Sequence, residues 1–553
     1  MHPSEPFPHF VDDYLAYLHE VHPTSASLDG VHLHDDLLED LSRSAIDAHV
    51  RALAGFSRRL RQIDPQPLSP GDRIDHGILA ANIDSRMYEL EQVRTWERNP
   101  QGYAELIGTS LATQALFAAA PETERARRIV SRLRQVPRLV QAARDNVKEC
   151  PGPFVKSGLE AWRGALRFVE SDLPRAFSTL DDLHILGDLA DTSTEAASAM
   201  ASYIGYLETE LAPRAKASFR IGRDRFEEKL KLDEGFTLSP ERLLAIAERE
   251  LHTVQEEFRS AASTLGAADP VTAWRAAKEQ HPAAGELLQV AQAQVTELAG
   301  FLQRQSIVSL PPGEPVIVAP SPEFYRWTSA SMWAPGPFEA KPRRAYYYVT
   351  DADRSWPAER QEEHLRDFSL PVLWNISIHE VYPGHFLYSQ HLRQVESKVR
   401  KSLLFAPASY VEGWAHYCEQ MMVETGFRRT DPTVRIGQLA KALVRLVRVI
   451  VAIRLHCEDL SVEQGMRFFR DEAFLEEATA RREAERGTFN PTYLVYALGK
   501  LALLKLRRDH QESQPGKVSL RAFHDSLLAQ GSAPFWAQRK LLLGEDDAGA
   551  VLE

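Results

Sequence analysis

Most of this chain repeats apolar residues at steps of three and four, the spacing of one face of an α-helix. The clearest case begins at Ser239-Pro240, a good N-cap followed by proline at the first helical position, and continues to Phe258. The same period predicts further helices over residues 44–63, 73–98, 124–148, 193–212, 284–304, 435–456 and 491–508. We therefore predict a mainly α-helical fold.

Residues 311–342 depart from this pattern because they hold eight prolines. Two short runs in and just after this stretch, Val316–Val318 and Tyr346–Val349, are rich in β-branched and aromatic residues, which favour strands. We expect a small β-sheet here, in the middle of an otherwise helical chain.

A change of composition around residues 213–236, which include Pro213, Gly222 and Gly235, marks the predicted domain boundary. We expect an N-terminal helical lobe over 1–215 and a C-terminal lobe over 216–553 that carries the chemistry. The prediction is a large two-lobed helical fold whose small sheet lies beside the active-site helix.

Charge and cysteine content exclude several classes of protein. The net charge of −12 argues against a general binder of nucleic acid or of anionic membranes, since both need a positive field. Three cysteines give neither a disulfide framework nor paired zinc-binding units. The N-terminus lacks the pattern of a signal peptide, and no apolar run reaches the length of a membrane span, so we expect a cytoplasmic protein. The sequence leaves the oligomeric state open.

One segment carries the residue types of a metal site: His379, Glu380 and His385. In the usual His-Glu-x-x-His motif the histidines lie about 40° apart around a helix, so both imidazoles reach one zinc ion and the glutamate acts as general base. Here the second histidine follows six residues after the first, which places the two rings about 120° apart on an ideal helix. An unbroken helix would not bring both to one small ion.

The residues between the two histidines supply a distortion. Pro383 has no amide proton and crowds the carbonyl of His379, and Gly384 tolerates unusual backbone angles. We predict that the helix bulges or unwinds here, which would bring both rings to one point. A simple helix end beside Pro-Gly is the structural alternative.

A third ligand is expected from the segment that follows. Glu412 lies 27 residues beyond His385 and is our candidate, with Glu419 as its competitor on roughly the same helix face. Two histidines and one glutamate leave a fourth position for water, which is the catalytic arrangement of zinc. We expect one Zn²⁺ per chain, while a solvated acidic helix is the structural alternative.

Taken together, these motifs resemble a bacterial family catalogued as domain of unknown function 885. The resemblance rests on four segments: Pro23–Gly30, His-Glu-x-x-Pro-Gly-His at 379–385, Glu-Gly-Trp-Ala-x-Tyr-x-Glu at 412–419, and Tyr-x-x-Gly-Lys at 496–500. It implies a zinc-metallopeptidase-like fold, distantly similar to the gluzincins such as thimet oligopeptidase and angiotensin-converting enzyme. It also implies that His379, His385 and Glu412 hold the metal and that Glu380 is the base. Tyr388 stands where the family pattern has Gln, and this departure puts a contact there in doubt.

Two downstream segments add candidates through the same resemblance. Tyr496 would donate a hydrogen bond to the developing oxyanion, and Lys500 of the same motif is a candidate substrate-binding residue. His456 matches a family histidine, although Ala452 and Arg454 depart from the pattern around it. Burial in the core is the structural alternative for Tyr496 and His456.

The strand over 346–350 is expected to bind extended peptide along its edge, as edge strands do beside the active-site helix of zinc peptidases. Tyr346 and Tyr348 would then share one face and contact substrate, whereas packing into the core is the alternative.

The predicted function is a zinc-dependent hydrolase, most simply a metallopeptidase that cleaves short peptides. A zinc amidase or esterase acting on a small non-peptide substrate is a second hypothesis, because the sequence does not identify the leaving group. A non-catalytic helical binding protein without metal is a third.

Overall fold

A computed structural model of the chain describes residues 6–117, 119–266, 269–313, 315–322, 330–340, 344–514, 516–544 and 549–552. Within these ranges it contains 25 α-helices and one three-stranded sheet, so the predicted mainly α-helical fold with a small sheet is confirmed. Every helix in the described ranges falls short of the combined length and apolar character that a bilayer span requires.

The chain divides into two compact units. The first comprises Met1–Ile221, Pro335–Arg343 and Ser402–Phe405, and the second comprises Gly222–Ala334, Arg344–Lys401 and Ala406–Glu553. The main division falls six residues after the expected boundary at 215, and two short segments from the second half of the sequence belong to the first unit.

The first unit is built from ten helices in the described ranges, with α7 packed against α10 and α6 against α7 and α8. Its helices are α1 Phe7–Val21, α2 Pro23–Asp29, α3 Arg43–Arg61, α4 Pro70–Tyr88, α5 Thr95–Arg98, α6 Gln101–Leu116, α7 Glu122–Asn146, α8 Gly152–Arg167, α9 Leu173–Ala176 and α10 Leu183–Tyr206.

The early Pro23–Gly30 motif has a structural role in this unit. The buried Asp29 carboxylate accepts hydrogen bonds from the Ser402 hydroxyl at 2.5 Å and the Leu403 amide at 2.7 Å, and it contacts His19 Nε2 at 3.0 Å. A Cβ on Gly336 would lie 2.3 Å from the Gly30 nitrogen, so only glycine fits there. The motif thus holds both inserted segments in the first unit.

The second unit contains the remaining helices and the sheet. Its helices are α11 Arg223–Glu234, α12 Pro240–Ser263, α13 Pro270–Lys278, α14 Leu287–Gln305, α15 Ala358–Asp367, α16 Leu370–Glu380, α17 His385–Leu392, α18 Lys398–Lys401, α19 Ala408–Glu424, α20 Pro432–Cys457, α21 Val462–Glu472, α22 Glu477–Phe489, α23 Val495–Ser513, α24 Leu520–Ala529 and α25 Phe535–Leu543. Helix α20 is central, since it packs against α12, α16, α21, α22 and α23.

The sheet has the order β1-β3-β2, with β1 at Ile317–Pro320, β2 at Ala330–Trp333 and β3 at Tyr346–Val349. Strand β1 runs parallel to β3 and β2 runs antiparallel to it, with Met332 opposite Tyr347. Tyr347 is fully buried, and its hydroxyl lies 3.3 Å from the Ser377 hydroxyl of α16. The sheet is thereby fixed against the helix that carries the His-Glu pair.

The expectation that the strand over 346–350 forms a sheet edge is wrong. Strand β3 is central, because β1 and β2 occupy its two sides and use its backbone hydrogen-bonding groups. Tyr346 and Tyr348 do share one face, with rings stacked 5.4 Å apart, on the side of the sheet opposite to Tyr347. Among the described strands, the one at the edge near α16 and α17 is β2.

Candidate metal centre

The predicted distortion between the two histidines is a complete break in the helix. Helix α16 ends at Glu380, and α17 begins at His385. A Cβ on Gly384 would lie 1.8 Å from the carbonyl oxygen of His379, so the chain turns this tightly only with glycine. The Trp414 indole donates a hydrogen bond to the Pro383 carbonyl at 2.9 Å, which anchors the turn to α19.

The break brings three donor atoms together. The rings of His379 and His385 lie 4.7 Å apart and nearly perpendicular. Glu412 Oε2 lies 3.3 Å from Nε2 of His379 and 3.6 Å from Nε2 of His385. One ligand atom from each residue lies within 4.8 Å of the others, and this is the one such group of three that the described residues form.

The donor set fits a divalent cation. Glu412 Oε2 is buried and makes no hydrogen bond to a described residue, although an unsatisfied buried carboxylate oxygen is costly. The His379 and His385 imidazoles lower the pKa of Glu412 well below its usual range, against the effect of burial. An ionised carboxylate with two imidazole nitrogens is a common zinc donor set.

Glu419 lies behind His379 and is not part of the group of three. Its Oε1 accepts a hydrogen bond from Nδ1 of His379 at 2.8 Å, which directs Nε2 of that ring toward Glu412. Burial disfavours protonation of His379, but the Glu412 and Glu419 carboxylates outweigh it and raise its pKa to about 9. The geometry therefore separates the two competing glutamates, with Glu412 facing both histidines and Glu419 orienting one of them.

The buried charge of Glu419 is balanced by a cation from α20. Glu419 is 1% exposed, and Arg445 donates to its Oε2 at 2.6 Å. His416 Nδ1 lies 3.2 Å from the same oxygen. Arg445 and His416 lower the pKa of Glu419 well below its usual range although burial opposes the shift. The orienting carboxylate is thus kept ionised.

Glu380 follows His379 at the end of α16. Burial raises the pKa of Glu380, and the two imidazoles oppose the shift. The backbone amide of Met332, on strand β2, also stabilises the ionised carboxylate. A half-buried carboxyl with a raised pKa, next in sequence to one of the three donor residues, is suited to take up and release a proton.

Close contact between α19 and α23 places Tyr496 near Glu412. A Cβ on Gly413 would lie 2.6 Å from Gly499, and a Cβ on Gly499 would lie 1.9 Å from the Ser409 carbonyl. These glycines let the two backbones touch. Burial raises the pKa of the Tyr496 phenol, and the Glu412 carboxylate adds to the shift, so the phenol stays protonated at neutral pH.

Two other predicted residues lie elsewhere. His456 is 2% exposed, its Nε2 donates to the Gly487 carbonyl at 2.8 Å, and its ring stacks on Phe226. It follows Arg445 by 11 residues, about 16 Å along α20, so it does not join the site. Lys500 is 3% exposed, and burial lowers its pKa to about 8 despite the nearby Glu419 carboxylate. Neither His456 nor Lys500 belongs to the group of three donor residues.

The comparisons with known proteins give a family but no activity. The family described as "Bacterial protein of unknown function (DUF885)" matches residues 23–539. The chain belongs to this family. No curated protein matches the chain.

Two solved structures share the fold of this DUF885 protein. The first, "a putative lipoprotein of unknown function from Shewanella oneidensis", is 25% identical over 98% of this chain and 100% of its own, with a TM-score of 0.80. The second, "the putative lipoprotein from Colwellia psychrerythraea", is 18% identical over 97% of this chain and 98% of its own, with a TM-score of 0.81. Each matches from end to end.

Sequence reasoning missed Arg445 and its neighbour Arg448 in this DUF885 chain. Both lie on α20, whose amphipathic pattern predicts that its arginines face solvent. Their side chains are only 12% and 11% exposed. No local motif marks them, because their partners Glu419 and Glu483 lie 26 and 35 residues away.

Proposed function

We propose that this protein is a zinc-dependent hydrolase, most simply a metallopeptidase that cleaves short peptides. The observation that carries the proposal is the convergence of one donor atom each from His379, His385 and Glu412 within 4.8 Å, with Glu380 next in sequence to the first ligand. A metal site with one glutamate beside it is the minimum that hydrolysis by activated water requires.

The chain would hold one Zn²⁺ through Nε2 of His379, Nε2 of His385 and Oε2 of Glu412. The bound ion supplies Lewis acidity toward water and toward the carbonyl of the substrate. Glu419 holds His379 in the tautomer whose Nε2 lone pair is available, since the carboxylate accepts the Nδ1 proton.

Glu380 acts as general base and then as general acid. It removes a proton from the attacking water and passes it to the leaving amine, and its raised pKa favours both transfers. Tyr496 remains protonated near Glu412 and donates a hydrogen bond to the oxygen that gains negative charge. His456 has no role in this scheme.

An extended substrate would lie along β2 rather than β3. Strand β2 is at the edge of the described sheet and packs against α16 and α17, so a peptide paired with β2 would pass the three donors. This replaces the predicted contacts with Tyr346 and Tyr348.

A cytoplasmic location is a further part of the proposal. Both solved neighbours are described as putative lipoproteins, so the location of this chain needs a test of its own. Fractionation of the native host, followed by detection of the full-length product in the soluble or membrane fraction, tests this point.

The decisive test of the function is metal content. Protein purified without a His-tag is compared with His385→Ala, Glu412→Ala and the control Glu424→Ala by plasma mass spectrometry. Glu424 lies on the same helix as Glu412, and its side chain is 41% exposed. We expect one zinc per chain in the wild type and the control and none in the two ligand variants. No bound metal after zinc is supplied at neutral pH would contradict the proposal.

Activity is tested next with libraries of peptides, small amides and esters. Glu380→Gln should retain zinc and lose hydrolysis. Turnover of esters or small amides without turnover of peptides would identify an amidase or esterase.

A further inference from the structure

Two guanidinium groups pack against the phenol ring of Tyr496, and a third packs against the ring of Tyr493. The Arg445 and Arg448 guanidinium carbons lie 5.6 Å and 5.3 Å from the centre of the Tyr496 ring. Arg486 of α22 lies 6.0 Å from the ring centre of the adjacent Tyr493. Positive charge is thus gathered around the residue proposed to stabilise the oxyanion.

Two of these cations are already neutralised. Arg445 binds Glu419 at 2.6 Å, and Arg448 makes two hydrogen bonds to the Glu483 carboxylate at 2.8 Å and 2.7 Å. Arg486 has no ion pair with a carboxylate in the described ranges, although Glu483 lies one turn before it on α22. Because Arg448 occupies both oxygens of Glu483, that carboxylate is not free to bind Arg486 in the same way.

The cluster therefore has an excess of positive charge. Three arginines and Lys441, one turn before Arg445 on α20, stand against the carboxylates of Glu419, Glu483 and Glu412. Lys441 likewise has no ion pair among the described residues. Arg486 is half-buried, so its guanidinium is only partly solvated. Glu483 interacts with Arg486 at longer range only. A partly desolvated guanidinium to which no carboxylate is hydrogen-bonded is a favourable binding partner for an anion.

Arg448 links Arg486 to Tyr496, because its guanidinium carbon lies 5.7 Å from the Tyr493 ring centre and 5.3 Å from the Tyr496 ring centre. Among the cations that act on the Tyr496 phenol, Arg486 has the largest effect, ahead of Arg448 and Arg445. The Glu412 carboxylate acts on the same phenol from the other direction. An anion bound by Arg486 would therefore lie beside the arginines that pack on Tyr496, the proposed oxyanion donor.

We propose that Arg486 binds a carboxylate of the substrate, so that the preferred substrates are short peptides with a carboxylate near the cleaved bond. This inference rests on the proposed function, since it specifies which peptides reach the same site. A guanidinium pairs with a carboxylate through two parallel hydrogen bonds, which fixes the orientation as well as the position of the substrate. The carboxylate is either the free C-terminus or an acidic side chain.

Binding of inert peptide pairs tests the inference without turnover. Zinc-loaded Glu380→Gln protein is titrated calorimetrically with neutral tripeptides prepared as free acid and as C-terminal carboxamide, and with carboxamides that carry one glutamate. We expect the free acids, or the glutamate-containing carboxamides, to bind at least about tenfold more tightly than neutral carboxamides. The form that gains affinity identifies the source of the carboxylate.

The variants assign this preference to Arg486. Arg486→Met in the same background should abolish the preference, and Arg486→Lys should retain part of it. Arg481→Met is the matched control, because it removes one arginine from α22 whose partners are Glu463 and Glu477, and it should leave the preference intact. In active enzyme, Arg486→Met should raise KM about tenfold with little change in kcat.

Two results would overturn the inference while the proposed function stands. One is that zinc-loaded Glu380→Gln protein binds free acids and carboxamides equally, or binds neither, while the wild type hydrolyses peptides. The other is a carboxylate preference that Arg486→Met leaves unchanged while zinc content and melting temperature match the wild type. Absence of zinc from the wild type would instead contradict the proposed function itself. If Arg486→Met fails to fold, the affinity difference between the paired peptides, measured in Arg486→Lys and in its parent, still tests the inference.

Discussion

Glu419 Oε1 lies 2.8 Å from Nδ1 of His379, and on its other side the same ring presents Nε2 to Glu412 at 3.3 Å. Because an ionised carboxylate only accepts hydrogen bonds, this contact fixes the proton on Nδ1. Glu419 therefore acts on the candidate metal centre through His379 rather than as a ligand.

Replacing Glu419 tests this relationship. Glu419→Gln should lower zinc affinity about 10- to 100-fold, because a neutral amide orients the imidazole less strongly and leaves Arg445 without its counter-charge. Affinity is measured by competition with a chelator of known strength. Glu424→Gln, on the same helix and partly exposed, is the control and should bind zinc as the wild type does. Complete loss of zinc in Glu419→Gln would instead favour Glu419 as a direct ligand.

The turn at Gly384 gives a second prediction. Gly384→Ala would place a methyl group 1.8 Å from the His379 carbonyl oxygen, so the two helix ends must move apart. We expect a destabilisation of about 2 kcal/mol or more and loss of zinc, because the imidazoles no longer converge. Gly187→Ala is the matched control, since nothing lies within 4 Å of its added methyl group. Thermal melting and metal analysis of both variants test the prediction, and zinc retained by Gly384→Ala would contradict it.

Tyr496 offers a test of oxyanion stabilisation. Tyr496→Phe removes the hydroxyl but keeps the ring that packs against Arg445 and Arg448, so zinc content and KM should stay unchanged. The value of kcat should fall about 10²-fold or more, as happens when one oxyanion donor is lost. Tyr206→Phe, in the first unit, is the control. An unchanged kcat in Tyr496→Phe would remove the phenol from the mechanism.

Glu234 makes the stability of the second unit depend on pH. Burial raises its pKa to about 7, although its carboxylate accepts a hydrogen bond from the Ser409 amide at the start of α19. A raised pKa means that the folded state holds the proton more tightly, so the stabilisation is complete below the unfolded pKa and is lost as pH rises through 7.

The matching variant is Glu234→Gln, which keeps an acceptor and carries no charge. Relative to wild type it should gain stability between pH 5 and pH 8, by an amount on the order of 3 kcal/mol. Differential scanning calorimetry at both pH values measures this change. The control Glu228→Gln, exposed on the same helix, should show no such dependence, and a pH-independent difference for Glu234→Gln would contradict the prediction.

Local periodicity predicted the helices because it needs only neighbouring residues. The runs over 44–63, 284–304 and 435–456 correspond to α3, α14 and α20. Strand β2 was missed, since Ala330–Trp333 lacks the β-branched residues that mark strands. The central position of β3 depends on its pairing with two separate segments, which no local pattern reveals.

The site was predictable where chemistry and spacing were local. The Pro383-Gly384 pair predicted the break that the structure shows between His379 and His385. The different roles of Glu412 and Glu419 could not be predicted from sequence, because residues seven apart lie on nearly the same face of a helix. The packing of α19 on α16 separates them. The motif match for His456 did not show how far along α20 this residue lies from Arg445 and the candidate site.

The two short segments that complete the first unit limit how this chain can be dissected. A fragment ending at Ile221 would lack Ser402 and Leu403, so the buried Asp29 carboxylate would lose two of its hydrogen-bond donors. The fragment would also lack residues 335–343, among them the buried Gly336 that packs on Gly30. An N-terminal half expressed alone would thus be an incomplete fold rather than a domain, and a chimaera between relatives must exchange all three segments together.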